Sequence, residues 1–228
     1  MVQPILFPGV GSFGSAMKSL EDKGFAQPLK DYIASGKPYM GICIGIQVLF
    51  ESSAEAPGVP GLGVIPAHVT RFHSDDGKTV PCMGWNGAVE VRENGRAIAE
   101  RYGITDDGRY YFVPSFRASL NDDTKDWALT ATQYGTETYV SSVQRGNIFA
   151  TQFHPEKSGA AGLAVLKGWL ESSAAEGVSL AATPTAPLRA QAEVDADLVR
   201  KGFTKRIVAC LDVRTNDAGD LVVTKGDQ

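Results

Sequence analysis

The chain has 228 residues, 43% of them hydrophobic, enough for one full domain or two small ones with a packed core. Its formal net charge is −4, so no basic footprint points to nucleic acid or to an anionic membrane surface. Three cysteines without paired spacing argue against a disulfide framework and for a reducing, cytoplasmic setting, and no apolar run is long enough to span a bilayer.

In chain order, Pro4 to Phe7 reads as a strand leading into a Gly-rich turn over residues 8–14. Ala16 to Lys23 and Gln27 to Ser35 read as helices, the second carrying Leu29, Tyr32 and Ile33 at helical spacing with Gly36 at the capping position. Pro38 to Ile42 reads as a short buried strand, and Val48-Leu49-Phe50 as the apolar face of a helix that follows it. Further strands are expected near 63–72, 88–92, 110–116, 127–133, 138–144 and 147–153, with a hairpin turn at Gln144 to Asn147 and a closing helix marked by Leu163, Leu166, Trp169 and Leu170. Residues 172–200 change character: up to Pro187 Ser, Ala, Thr and Pro dominate, the composition of a linker, and a short helix is expected from Gln191 to Lys201. Ile207 to Val213 then reads as a strongly buried strand. The pattern is α/β with a late antiparallel section.

Between the strand ending at Ile42 and the helix after it stands Gly41-Ile42-Cys43-Ile44-Gly45. A reactive side chain between glycines at a strand-to-helix turn is a nucleophile elbow, here with Cys in place of Ser. The glycines leave room where neighbouring Cβ atoms would collide, and a helix start aimed at the sulfur is expected to lower the thiol pKa. By itself GxCxG is weak, since Cys in an apolar run is more often a small core residue. A second feature reverses that balance. Thr151-Gln152-Phe153-His154-Pro155-Glu156 reads as a strand running up to the proline, with His154 at its carboxyl end. Alternate residues of an extended chain point the same way, so His154 and Glu156 can supply a base and the acceptor that orients it. In an open α/β sheet such residues meet outside the carboxyl ends of the strands. Cys82 and Cys210 have no base within sequence reach and read as structural thiols, and His68 and His73 have no metal spacing.

GICIGIQ together with TQFHPEKS resembles the class I glutamine amidotransferases, and Pro8 to Gly14 (PGVGSFG) resembles the oxyanion strand of one branch. PCMGWN at 81–86, Tyr111-Phe112-Val113 and the tail KRIVACLDV at 205–213 narrow the resemblance to the fused, eukaryotic form of imidazole-glycerol-phosphate synthase. That resemblance implies a flavodoxin-like α/β glutaminase domain over residues 1–171 lacking its opening βα unit or units, a linker over 172–202, and over 203–228 the first strand and hairpin of a truncated cyclase (β/α)8 barrel. It implies glutamine hydrolysis by a Cys43-His154-Glu156 triad without cofactor or metal, the ammonia passing to a cyclase that makes imidazole glycerol phosphate and AICAR. By the same resemblance Val10 and Ile44 supply oxyanion N–H groups, while Gly11, Gln47, Glu55, Ser115 and Phe116 bind L-glutamine. Met83, Trp85, Asn86 and Arg206 would face the cyclase barrel and the ammonia path, and Asp212 and Lys225 would be remnants of the cyclase site. The chain departs from the family at Pro114, where a His is usual, which bears on the pocket's local geometry. The alternatives are another class I amidotransferase or Cys hydrolase, or an inactive domain that only docks to a barrel.

Overall fold

A computed structural model describes residues 3–74, 77–173 and 187–202, together with the backbone of 212–215 and 221–224. Strand β1 (Ile5–Phe7) leads through the Gly-rich turn into helix α1 (Phe13–Asp22). Ser12 caps that helix, its hydroxyl accepting the Ser15 N–H at 3.2 Å, which satisfies one of the free donors of the first turn. Helix α2 (Ala26–Ala34) stops where Gly36 adopts a φ of 79°, the left-handed conformation that glycine allows without penalty. Met17 and Leu20 of α1 and Leu29 and Ile33 of α2 are buried, the stripe that helical spacing demands.

After β2 (Tyr39–Ile42) comes a helix α3 of only four residues (Ile44–Gln47), then β3 (Phe50–Ser53) and β4 (Ile65–Arg71). The helix expected through Val48-Leu49-Phe50 is therefore corrected: Phe50 starts a strand. The 61–65 segment takes up the carbonyls that a continued helix would have used, with Leu62 N–H donating to Val48, Gly63 N–H to Phe50 and Val64 N–H to Leu49. A short apolar run cannot by periodicity tell a helix from a buried strand.

The chain continues through β5 (Gly84–Asn86), β6 (Val89–Glu90), α4 (Gly95–Arg101), β7 (Tyr110–Phe112) and β8 (Phe116–Ala118). The strand expected over 110–116 is thus two strands, separated around Pro114, whose carbonyl accepts the Cys82 N–H. Strands β9 (Ala128–Tyr134), β10 (Glu137–Arg145) and β11 (Ile148–Thr151) follow, then one 3₁₀ turn (Pro155–Lys157) and helices α5 (Gly159–Ser173) and α6 (Gln191–Arg200). The expected turn at Gln144 to Asn147 does join β10 to β11, with Gly146 at a φ of 56°.

The central sheet has the order β1-β2-β11-β10-β9-β6. β1, β2 and β11 are parallel, and β10, β9 and β6 continue antiparallel. β2 and β11 are buried on both faces, and their side chains alternate between two cores. Tyr39, Ile148 and Ala150 join the core beneath α1 and α2, whereas Met40, Ile42 and Phe149 join an aromatic core beneath α4 and α5. There Tyr102 stacks on Phe149 at 4.2 Å and Tyr110 on Phe153 at 4.4 Å.

Residues 187–202 lie against this body. The Glu93 N–H donates to the Pro187 carbonyl and the Arg189 N–H to that of Val91, while α6 buries Val194 and Leu198 in the first core. Lys201 is buried too, its Nζ donating to the Ala88 carbonyl at 3.2 Å and pairing with Asp106 at 2.9 Å. At the far end β12 (Asp212–Thr215) and β13 (Leu221–Thr224) form an antiparallel hairpin. The strand expected over Ile207 to Val213 falls outside the described residues up to position 211, as do Arg206, Cys210 and Lys225.

Candidate active site

The site forms where β2 and β11, neighbours in the parallel part of the sheet, release their chains at their carboxyl ends. Cys43 takes a φ of 54° and ψ of −101°, a conformation rare for a residue with a Cβ and characteristic of a strained elbow. Its N–H donates to the Thr151 carbonyl at 2.8 Å, which ties the elbow to the end of β11. Gly41 and Gly45 make the turn possible. A Cβ on Gly41 would overlap the Gly45 backbone, and one on Gly45 would overlap the Phe7 carbonyl of β1. The Tyr39 hydroxyl donates to the Gly45 carbonyl at 2.7 Å and holds the turn from below.

One expectation is corrected here. Burial pushes the Cys43 thiol up to about 11, and the downward pull of the Ile44 N–H does not offset it. A four-residue helix carries little dipole, and the sulfur is largely out of water, so desolvation wins.

Strand β11 ends at Thr151, three residues before His154 and not at the proline as expected. The Thr151 hydroxyl donates to the Phe153 carbonyl, and the chain resumes extended geometry at His154, whose N–H donates to Tyr111 of β7 at 2.9 Å. Ser158 fixes the same junction, accepting the Tyr111 N–H at 2.9 Å and donating to the His154 carbonyl at 2.6 Å. The His154 ring is 1% exposed. Its Nδ1 lies 2.6 Å from the Glu156 carboxylate. A carboxylate only accepts, so Nδ1 carries the hydrogen and Nε2 keeps a lone pair. That Nε2 has no partner among the described residues.

The PGVG turn lies over the elbow. Gly9 sits so close to Ile44 that a Cβ there would strike the Ile44 side chain, and Gly11 has a φ of 126° that favours glycine. The Val10 side chain is 72% exposed, and its N–H meets no acceptor among the described residues. The Ile44 N–H faces the Cys43 sulfur. Glu55 comes to the same edge, where its carboxylate accepts the Phe13 N–H at 2.7 Å at the start of α1.

Gln47 is buried, and its Nε2 donates both to the Phe116 carbonyl at 3.0 Å and to Gln152 Oε1 at 2.9 Å, so only its oxygen is open to a further partner. Ser115 contributes its carbonyl to the Phe72 N–H. Met83 is 55% exposed at the surface, and Trp85 packs edge-on against Tyr111 at 5.9 Å, one residue from the bridge to His154. Asn86 is enclosed: its Nδ2 donates to the Gln133 carbonyl and its Oδ1 accepts the Gly87 N–H. Asp212 begins β12. Cys82 is buried and burial raises its thiol to about 12, as befits a core residue.

Two residues near the centre escaped sequence reasoning. Ser158 is one. The other is Gln152, two residues before His154 in the same motif, where the alternation that pairs His154 with Glu156 also applies.

The chain belongs to the class I glutamine amidotransferase family, whose family model, glutamine amidotransferase class-I, matches residues 3–170. Within that class it is similar to imidazole glycerol phosphate synthases. It is 44% identical to the synthase hisHF of Emericella nidulans over 232 residues, which takes in 100% of this chain and 39% of that protein. It is 45% identical to the hisHF of Schizosaccharomyces pombe, covering 98% of this chain and again 39% of the relative. The synthase subunit HisH of Synechococcus sp. (strain JA-3-3Ab) is 41% identical over 167 residues, 73% of this chain and 74% of that subunit. The chain therefore spans about 39% of the length of the fused relatives. A solved glutamine amidotransferase structure shares the fold, with a TM-score of 0.51 at 20% identity over 75% of this chain and 78% of that one.

Proposed function

We propose that this chain is the glutaminase of an imidazole-glycerol-phosphate synthase, releasing ammonia from L-glutamine for a cyclase barrel. The observation that carries the reading is the pairing of a strained Cys43 elbow with a buried His154 whose Nδ1–H is committed to Glu156 and whose Nε2 lone pair is free. In this mechanism Nε2 takes the thiol proton as the sulfur attacks the side-chain amide carbon. Because burial keeps the resting thiol protonated near neutral pH, proton transfer accompanies attack. The tetrahedral oxyanion is met by the N–H groups of Ile44 and Val10. His154 then returns the proton to the amide nitrogen, the C–N bond breaks, and ammonia leaves a glutamyl thioester. A water deprotonated by His154 adds to the thioester, the C–S bond breaks, and glutamate leaves with the thiol restored.

The Gln47 oxygen, Glu55 and the Gly11, Ser115 and Phe116 backbone hold the amino-acid end of glutamine in this reading. Met83 and Trp85 face the cyclase in this reading, next to the Tyr111 strand to which His154 is bridged. The division into a glutaminase over 1–171, a connector over 172–202 and the start of a cyclase barrel from 203 belongs to the same proposal, with Arg206, Asp212 and Lys225 on the cyclase side. Free thiols at Cys43 and Cys82 accord with a reducing compartment such as the cytoplasm; one relative, from Arabidopsis thaliana, is named as chloroplastic. The test is a glutamine-analogue electrophile, with the label mapped by mass spectrometry. Modification of Cys43 with matching loss of glutamate release is expected. Modification of Cys82 or Cys210 instead would sink the assignment.

A further inference from the structure

Gln152 is 2% exposed and stands between Gln47 and the nucleophile. Its N–H donates to the Ser141 carbonyl at 2.9 Å, so its backbone is held in place just beyond β11. The orientation of its amide follows from a chain of contacts. The Phe116 carbonyl can only accept, so the Gln47 nitrogen must face it. The same nitrogen donates to Gln152, so the Gln152 oxygen must face Gln47. The Gln152 Nε2 is then left pointing at Cys43 Sγ, 3.8 Å away, within the range of an N–H to sulfur contact.

We propose that Gln152 is a catalytic residue: its Nε2–H, set by Gln47 and the Phe116 carbonyl, donates to Cys43 Sγ and stabilises the sulfur whenever it carries negative charge. That charge develops as His154 takes the thiol proton and again as the thioester C–S bond breaks to expel sulfur. The donor is preorganised in a site with little water, where such a contact is worth more than in solution. It works with the Ile44 N–H from α3 against burial. The other charges that act on the sulfur, among the described residues, are Glu156 and Lys157 of the 3₁₀ turn and Glu55 from the loop after β3. The inference rests on the glutaminase reading for its role in turnover, but the contact itself makes a prediction that needs no glutamine.

The experiment alkylates the full chain at pH 7 to 9 with chloroacetamide and with the bulkier N-ethylmaleimide, reading the rate on the Cys43 peptide. Gln152→Met keeps the length and removes the donor. Gln152→Glu keeps the size and the acceptor for Gln47 but places a carboxylate oxygen against the sulfur, and it carries the test if the Met variant does not fold. Since each pKa unit changes the thiolate fraction tenfold, the expected result is a fall of about three- to tenfold with both reagents for Gln152→Met and a larger fall for Gln152→Glu. Unchanged rates in a folded variant, or a fall with only the bulkier reagent, would overturn the proposal. Failure of the glutaminase reading would show separately, as absence of glutamate release from the wild-type chain even with a cyclase barrel present.

Discussion

His154 is held by three neighbours that each constrain a different atom: Tyr111 takes its N–H, Ser158 its carbonyl and Glu156 its Nδ1. In the proposed mechanism, removing the ring by His154→Ala should lower the rate of glutamate release about 10²–10⁴-fold, the usual worth of a positioned general base. Glu156→Gln should cost less, because an amide oxygen still accepts from Nδ1–H but no longer stabilises the imidazolium. Steady-state rates with a cyclase partner present check both. Equal losses in the two variants would mean that Glu156 does more than orient and stabilise the ring. Pro114 lies in the segment between β7 and β8, and its carbonyl is already engaged by Cys82. Pro114→His should therefore change turnover little, and a gain above about tenfold would show that this residue limits the site.

Two elements set the geometry of the site, and each yields a stability prediction. The elbow tolerates no side chain at Gly45, because the space a Cβ would need is filled by the Phe7 carbonyl of β1. Gly45→Ala should lower stability by about 2 kcal/mol or more, since overpacking against backbone cannot be relieved by a rotamer change. A urea melt unchanged from wild type would contradict that close approach. Helix α6 raises the complementary question of where the folded body stops. Leu198 is buried in the core beneath α1 and α2 although it lies beyond the Ser-, Thr- and Pro-rich stretch, in the segment expected to be a connector. Leu198→Ala should cost about 2–5 kcal/mol if α6 is an integral part of that body. A cost below about 0.5 kcal/mol, as at an exposed site, would make α6 a loose attachment.

On the scale of the whole molecule, Glu137 at the start of β10 ties the central sheet to the loop that carries Lys78 and to Arg117 of β8, and all three side chains are largely buried. Burial alone would raise the Glu137 carboxyl, but the two cations outweigh it and hold it down to about 2. The unfolded carboxyl titrates near 4.3. The stabilisation is therefore complete above that pH and disappears as the pH falls toward 2. Urea midpoints should drop steeply between pH 5 and pH 2.5 in the wild type. Glu137→Gln, which removes the carboxylate facing Lys78 and Arg117, should be weaker at pH 7 by on the order of 3 kcal/mol and flatter over the acid range. Parallel curves would show that other carboxylates govern acid unfolding. At the same scale, the proposed partnership predicts that glutamate release by the chain alone is low and rises on adding a cyclase barrel, which would dock near Met83 and Trp85. Equal rates with and without the barrel would refute that coupling.

Part of the geometry of the candidate site was legible in the residues themselves. Cys43 between Gly41 and Gly45, and His154 two before Glu156, are local patterns in which spacing alone dictates which atoms can meet. The alternation of β2 and β11, the Gly36 stop and the Gln144 to Asn147 turn are local in the same sense, because each follows from backbone geometry over a few residues. Whether Val48 to Phe50 continues a helix was not local: the 61–65 segment decides it by claiming their carbonyls. The Cys43 thiol rises instead of falling because burial depends on everything packed around the sulfur, whereas the elbow motif records only the turn beneath it. Gln152 gains a role only when Gln47, 105 residues away, orients its amide. The expected division put 187–202 in a connector, yet its few apolar side chains find a place on the sheet that only the assembled fold provides. Motifs specify which groups are present and which neighbours they can reach along the chain; solvent exclusion and long-range hydrogen bonds exist only once the chain has closed on itself.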